Sequence, residues 1–114
     1  MNPQKEQTDI LELTLQNFKQ QVIDTTEPIL IDFWAPWCGP CRTMKPILDQ
    51  TAQILGDKCR VAQVNVDEQP ELAQAFGIRG IPNCILMRGD QVLASYTGVI
   101  PAKQLATEVL HKLK

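Results

Sequence analysis

The chain reads as a single α/β domain, a central mixed β-sheet flanked by helices on both faces in the order βαβαβαββα. Three observations carry that reading. Ile29-Leu30-Ile31-Asp32-Phe33-Trp34-Ala35 is a nearly continuous, β-favouring apolar run, as expected of a largely parallel strand buried on both faces. Stretches with helical spacing separate it from the strand candidates on either side. Two later runs flank Gly89-Asp90, the mark of an antiparallel hairpin, which makes the sheet mixed. With 114 residues, 44% of them apolar, the chain can bury one core without staples, and no repeat or low-complexity segment divides it.

Residues 1–8 (MNPQKEQT) are polar and are expected to form a flexible tail, leaving 9–114 as the domain. Ile10 to Leu13 is a short strand. Thr14 offers a hydroxyl cap to a helix running to about Asp24, with Leu15, Phe18, Val22 and Ile23 on one side. The apolar strand Ile29–Ala35 comes after Pro28. After Cys38-Gly39-Pro40-Cys41 a helix extends to about Leu55 and stops at Gly56. Pro46 lies too far from its start to be harmless and should bend it by deleting one backbone bond. Residues 59–66 (CRVAQVNV) form the next strand, and Pro70 opens a short helix, Glu71 to Phe76, that Gly77 ends. Cys84–Arg88 and Gln91–Thr97 are the hairpin strands. A last helix from Pro101 to about Lys112 spaces Leu105, Val109 and Leu113 to pack on the sheet.

Composition excludes several function classes. The net charge is −2, the pI is about 5.3, and the eleven Lys and Arg are scattered, whereas phosphate binding needs clustered cations; nucleic acid is not an expected partner. No apolar stretch approaches the length of a bilayer, and the start lacks the apolar segment of a secretory signal. The expectation is a cytoplasmic monomer with no membrane partner.

The four cysteines stand at 38, 41, 59 and 84. Only one close pair exists and the single histidine, His111, lies at the end of the chain, so a zinc site lacks its second knuckle and no metal is expected. The pair Cys38-x-x-Cys41 sits between a buried strand and the start of a helix. There, unpaired backbone N–H groups and the helix dipole favour an anion, which keeps a cysteine ionised at lower pH than a free thiol. Cys38 should be the exposed attacking sulfur. Cys41, one turn inside, is near enough to close a disulfide onto it and is shielded. That asymmetry suits a two-step exchange in which Cys38 attacks a client disulfide and Cys41 resolves the mixed disulfide. A static surface disulfide or half a zinc knuckle remains the alternative. Cys59 and Cys84 occupy strand positions where an apolar residue would serve and read as inert core. Cys84, two residues beyond Pro82, is the better candidate for a regulatory thiol. Asp32 has apolar neighbours on both sides, so desolvation should raise its pKa.

Trp34-Ala35-Pro36-Trp37-Cys38-Gly39-Pro40-Cys41, together with Gly77-Ile78-Arg79-Gly80-Ile81-Pro82, resembles the thioredoxin family, and the resemblance extends over residues 9–114 in element order and motif spacing. It implies the thioredoxin fold and a general protein-disulfide reductase whose redox-active disulfide is Cys38–Cys41. It further implies no bound cofactor, recycling by thioredoxin reductase at the expense of NADPH, and clients of the ribonucleotide reductase, peroxiredoxin and methionine sulfoxide reductase classes. Gly-Pro between the cysteines goes with reducing members. By the same resemblance Pro82 is a cis-proline facing the cysteine pair and exposing the backbone of Ile81 to a client strand. Trp37, Gly39, Pro40, Ile81, Pro82, Gly98 and Val99 form the client-docking surface, and Trp34 lies against the active-site loop. Asp32 lies beneath Cys41 as its general base through a bridging water. Two positions depart from the family pattern. Asn83 stands where a threonine is frequent, and Gln63 where many bacterial members carry a lysine facing the buried aspartate. Lys45, one helical turn beyond Cys41, is then the candidate cation for Asp32. Two other functions compete: a disulfide oxidase or isomerase, which Gly-Pro and the missing export signal oppose, and a redox-independent binding module.

Overall fold

β1 (Leu11–Glu12), β2 (Pro28–Trp34), β3 (Arg60–Asn65), β4 (Asn83–Arg88) and β5 (Gln91–Thr97) form one sheet in the spatial order β1-β3-β2-β4-β5. The structure, a computed structural model, describes residues 10–114; the tail expected over residues 1–8 lies outside them. β1 and β2 both run parallel to β3, whereas β4 is antiparallel to β2 and to β5, giving the mixed sheet expected. β2 is the middle strand, and Leu30 to Phe33 are buried along it, as a nearly continuous apolar run requires, with Asp32 the carboxylate that interrupts it.

Strand alternation sends successive side chains of β2 into two separate cores. Leu30 meets Met44, Leu48 and Leu55 of α1 (Gly39–Leu55) and Leu105 and Val109 of α3 (Ala102–Lys112). Ile29, Ile31 and Phe33 meet Leu13, Phe18, Val22 and, from α2 (Pro70–Ala75), Leu72. Among the described residues no helix is long and apolar enough to cross a membrane.

Most elements lie within one or two residues of their sequence-based limits, and β5 coincides with them. The first helix differs. Thr14 does cap, its hydroxyl accepting the Asn17 N–H at 3.2 Å while Asn17 Oδ1 accepts the Thr14 N–H at 2.8 Å. Beyond Phe18, however, the segment Lys19–Ile23 is π-helical, with Asp24 N–H donating to Lys19 O at 2.8 Å. The wider turn rotates the rest of the segment so that Phe18, Val22 and Ile23 all meet the same cluster, and Leu15, expected on that side, is instead 48% exposed. Pro46 sits inside α1 without ending it. A register shift between Leu86 and Met87 on the β4–β5 pair is the one irregularity of the hairpin.

Candidate active site

β2 and β3 run parallel and therefore end at the same edge, where Trp34 O accepts the Val66 N–H at 2.9 Å. The loop leaving β2 turns at once into α1, and Cys38 is its N-cap, with extended backbone at φ −89° and ψ 114°. Pro40 falls in the first turn, where its missing N–H deletes no helical bond. Cys38 Sγ accepts the Cys41 N–H at 3.2 Å, so one of the orphan donors of the helix points at the sulfur. Cys38 and Cys41 form a disulfide, with Cα atoms 5.3 Å apart. Pair and helix start thus coincide as the spacing implies.

Cys38 is not exposed as expected: it is 4% accessible against 1% for Cys41. The reason is local packing. Both sulfurs share a small apolar cluster with Ala35, against which Trp34, Val66 and Ile81 rest, and Ile81 O lies 3.8 Å from Cys38 Sγ. The Ile81–Pro82 bond is cis, in line with the resemblance. Pro82 O accepts the Gly98 N–H at 2.9 Å, and Gly98 holds a φ of 88°, a conformation that favours glycine.

The other docking candidates divide by exposure. Trp37 is 67% exposed and Val99 42%; Gly39 and Pro40 are exposed, Ile81 and Gly98 half-buried, and Pro82 buried. Trp37 and Ile81 line a groove of about 380 Å³ with Val66, Pro70, Ala73 and Ile78. Asp67 was not legible as a site residue, yet its carboxylate accepts the Trp37 indole N–H at 3.0 and 3.2 Å and pins the exposed ring. Arg42, also unforeseen, donates from Nη2 to Pro36 O at 3.1 Å and braces the loop. Asp67 lies just past β3 at the edge where β2 ends, the place where parallel strands deliver functional groups. That position was the available signal.

Asp32 is 1% exposed and burial pushes its carboxyl from 3.8 up to about 7, against the smaller opposing pull of the Cys84 S–H and the Lys45 cation. It stands opposite Gln63 on β3 and Cys84 on β4. Gln63 does not serve it: its amide donates to Glu12 at 2.9 Å. Lys45 is exposed and does not turn inward as expected. Its Nζ lies 4.1 Å from the centroid of the Trp34 ring, since an ammonium keeps its hydration more readily over an aromatic face than inside an apolar core. The buried Trp34 indole N–H has no hydrogen-bond partner among the described residues.

Cys59 and Cys84 are buried free thiols, 3% and 1% exposed. Burial pushes Cys59 up to about 12 and Cys84 well above the ordinary thiol value. Among the described residues no group of three His, Cys, Asp or Glu side chains is placed to hold a metal ion.

Known proteins match both the sequence and this arrangement. The thioredoxin family model matches residues 9–111. Thioredoxin of Alicyclobacillus acidocaldarius is 45% identical over 102 residues, 90% of this chain and 96% of the relative. Thioredoxin 1 of a Nostoc species is 43% identical over 95 residues, 83% of this chain and 89% of the relative. The crystal structure of Malassezia sympodialis thioredoxin superposes with a TM-score of 0.81 at 33% identity, covering 92% of each chain. The disulfide capping α1 is therefore the working centre of a protein-disulfide oxidoreductase, and the chain belongs to the thioredoxin family.

Proposed function

We propose that this protein is a general cytoplasmic disulfide reductase, kept reduced by a thioredoxin reductase that draws on NADPH, with clients of the ribonucleotide reductase, peroxiredoxin and methionine sulfoxide reductase classes. One observation carries the reading: Cys38 Sγ caps α1 and receives the Cys41 N–H at 3.2 Å, an arrangement that favours sulfur as thiolate. Cys38 thiolate attacks one sulfur of a client disulfide. A Cys38–client bond forms, the client bond breaks, and the departing client sulfur takes up a proton. Asp32 then accepts the Cys41 proton through a water, and Cys41 attacks Cys38 Sγ, releasing the second client sulfur. Two electrons pass from the dithiol to the client, with no bound cofactor. A carboxyl near 7 suits the task, being able to take and return a proton at neutral pH. The exposed Trp37 ring and half-buried Ile81 support an apolar docking surface, with Gly39, Pro40, Pro82, Gly98 and Val99 around them.

The test is an NADPH-coupled assay with a bacterial thioredoxin reductase and insulin as the protein disulfide. Continuous NADPH consumption that depends on the chain is the expected result. A chain that is not reduced in this system, or that when reduced leaves insulin intact, would remove the reading.

A further inference from the structure

A row of polar side chains crosses the sheet on the face that α1 and α3 cover: Glu12 on β1, Gln63 on β3, Asp32 on β2, Cys84 on β4 and Tyr96 on β5, each registered opposite the next. Within the row Asp32 has two cross-strand neighbours. Gln63 turns away to Glu12. Cys84 does not: its Sγ lies 3.8 Å from Asp32 Oδ1, both groups being 1% exposed. Cys84 has no part in the exchange chemistry, and its burial makes it a poor thiolate. A neutral thiol is nevertheless a hydrogen-bond donor, and this one meets a carboxyl that otherwise has little to bond with.

We propose that Cys84 is a positioning residue for the proton-transfer step, its S–H holding the carboxylate of Asp32 from the β4 side and favouring the charged form. The proposal rests on Asp32 acting as the base for Cys41. Among the described residues, other charged or titratable groups near Asp32 are few. Lys45 acts on it from α1 while sitting over Trp34, the Cys38–Cys41 pair begins the same helix, and Gln63 on β3 is neutral. Tyr96 on β5 faces Cys84, and Glu108 on α3 acts on Tyr96. Donation to a carboxylate lowers its pKa, so removing the donor raises it. The pull of Cys84 on Asp32 has that sign.

The experiment is a carbon-13 NMR titration of the Asp32 carboxyl in the oxidised full chain, with the pH profile of insulin reduction measured alongside. In Cys84→Ala and in Cys84→Val, which keeps the site filled, the midpoint should rise by about half a pH unit or more, and the rate profile should move with it. Cys84→Ser, which still donates, should titrate at or below the wild-type midpoint. A thiol that merely fills space would change stability in these variants and leave the midpoint alone. Folded Ala and Val variants titrating at the wild-type midpoint would overturn the proposal. Asp32→Asn separates this from failure of the reading beneath it. If Asp32→Asn reduces insulin at the wild-type rate across the pH range, Asp32 is not the base, and the role of Cys84 in the reaction falls with it.

Discussion

All four cysteines of this chain are 4% exposed or less, yet two form the redox pair and two are locked in the core, so exposure does not distinguish them. Surroundings do. Cys38 caps α1 and receives a backbone N–H, and its partner lies one turn away on the same helix. Cys59 lies just before β3, at the C-terminal end of the short 3-10 turn Gly56–Lys58, and Cys84 within β4; both pack in the apolar core and neither caps a helix N-terminus. For Cys59, the rise from 9.0 to about 12 amounts to on the order of 4 kcal/mol against the thiolate. A charge near a helix terminus is favoured by about 0.3–1 kcal/mol, more when partly buried. A helix N-terminus therefore offsets only part of such a burial cost, but it acts on Cys38 and on neither Cys59 nor Cys84.

The largest effects should come from the pair itself. Cys38→Ser should abolish insulin reduction, whereas Cys41→Ser should react once and accumulate a mixed disulfide that mass spectrometry detects, because only Cys41 resolves it. Cys59→Ala should leave the reduction rate within about twofold of wild type, since that thiol touches no reacting atom. Trapping by Cys38→Ser instead of Cys41→Ser would reverse the assignment.

Thiol labelling of the reduced, folded protein sharpens the contrast. At pH 7 a thiol titrating near 12 is ionised to about one part in 10⁵, so Cys59 should alkylate at least ~1,000-fold more slowly than Cys38 until denaturant is added. Cys84 should behave likewise. Rapid labelling of Cys84 in the native state would give it the regulatory character that its place near Pro82 in the sequence suggests.

Legibility in the sequence tracked the range of the interactions concerned. The hairpin was readable because Gly89-Asp90 and the flanking alternation are local, and the Cys38–Cys41 site because a Cys-x-x-Cys before a helix carries its electrostatics within one turn. The π-helical turn at Lys19–Ile23 was not, because the demand that Phe18, Val22 and Ile23 reach one cluster comes from the sheet rather than from the segment. Asp67 beneath Trp37 and Cys84 beside Asp32 join residues 30 and 52 positions apart, and only strand register brings them together. The burial of Cys38 likewise depends on Ile81, far along the chain.

Asp32 connects the two kinds of cysteine, since Cys84 contacts it and Cys41 is the thiol it is proposed to deprotonate. Its folded pKa of about 7 exceeds the unfolded 3.8, so the native state binds the extra proton between those values. Stability therefore falls as pH rises through that window and levels off above 7, the full interval corresponding to on the order of 4 kcal/mol. Asp32→Asn lacks this loss. Its advantage in urea unfolding should grow from pH 4 to pH 7 and then stay constant, while insulin reduction slows by about tenfold or more. A stability difference independent of pH would show that the carboxyl titrates normally.

The smallest expected effect belongs to Lys45, the one full cation among the described residues that acts on Asp32. It is exposed, and its Nζ sits over the Trp34 ring, so solvent and salt screen its field and only a modest part reaches the carboxyl. Its pull on Asp32 is downward, and it ranks below burial and below the Cys84 contact. Lys45→Met keeps an apolar chain against the indole and removes the charge. The Asp32 midpoint should then rise by only a few tenths of a pH unit, roughly, and that rise should shrink between 0.01 and 1 M salt, where the screening length falls from about 30 to 3 Å. The Cys84 contact, being buried, should keep its effect at both salt concentrations. A salt-independent rise on replacing Lys45, equal to that from Cys84→Ala, would mean that the ammonium spends its time inside, beside Asp32, and that the inward reach expected from its place on α1 describes the protein in solution.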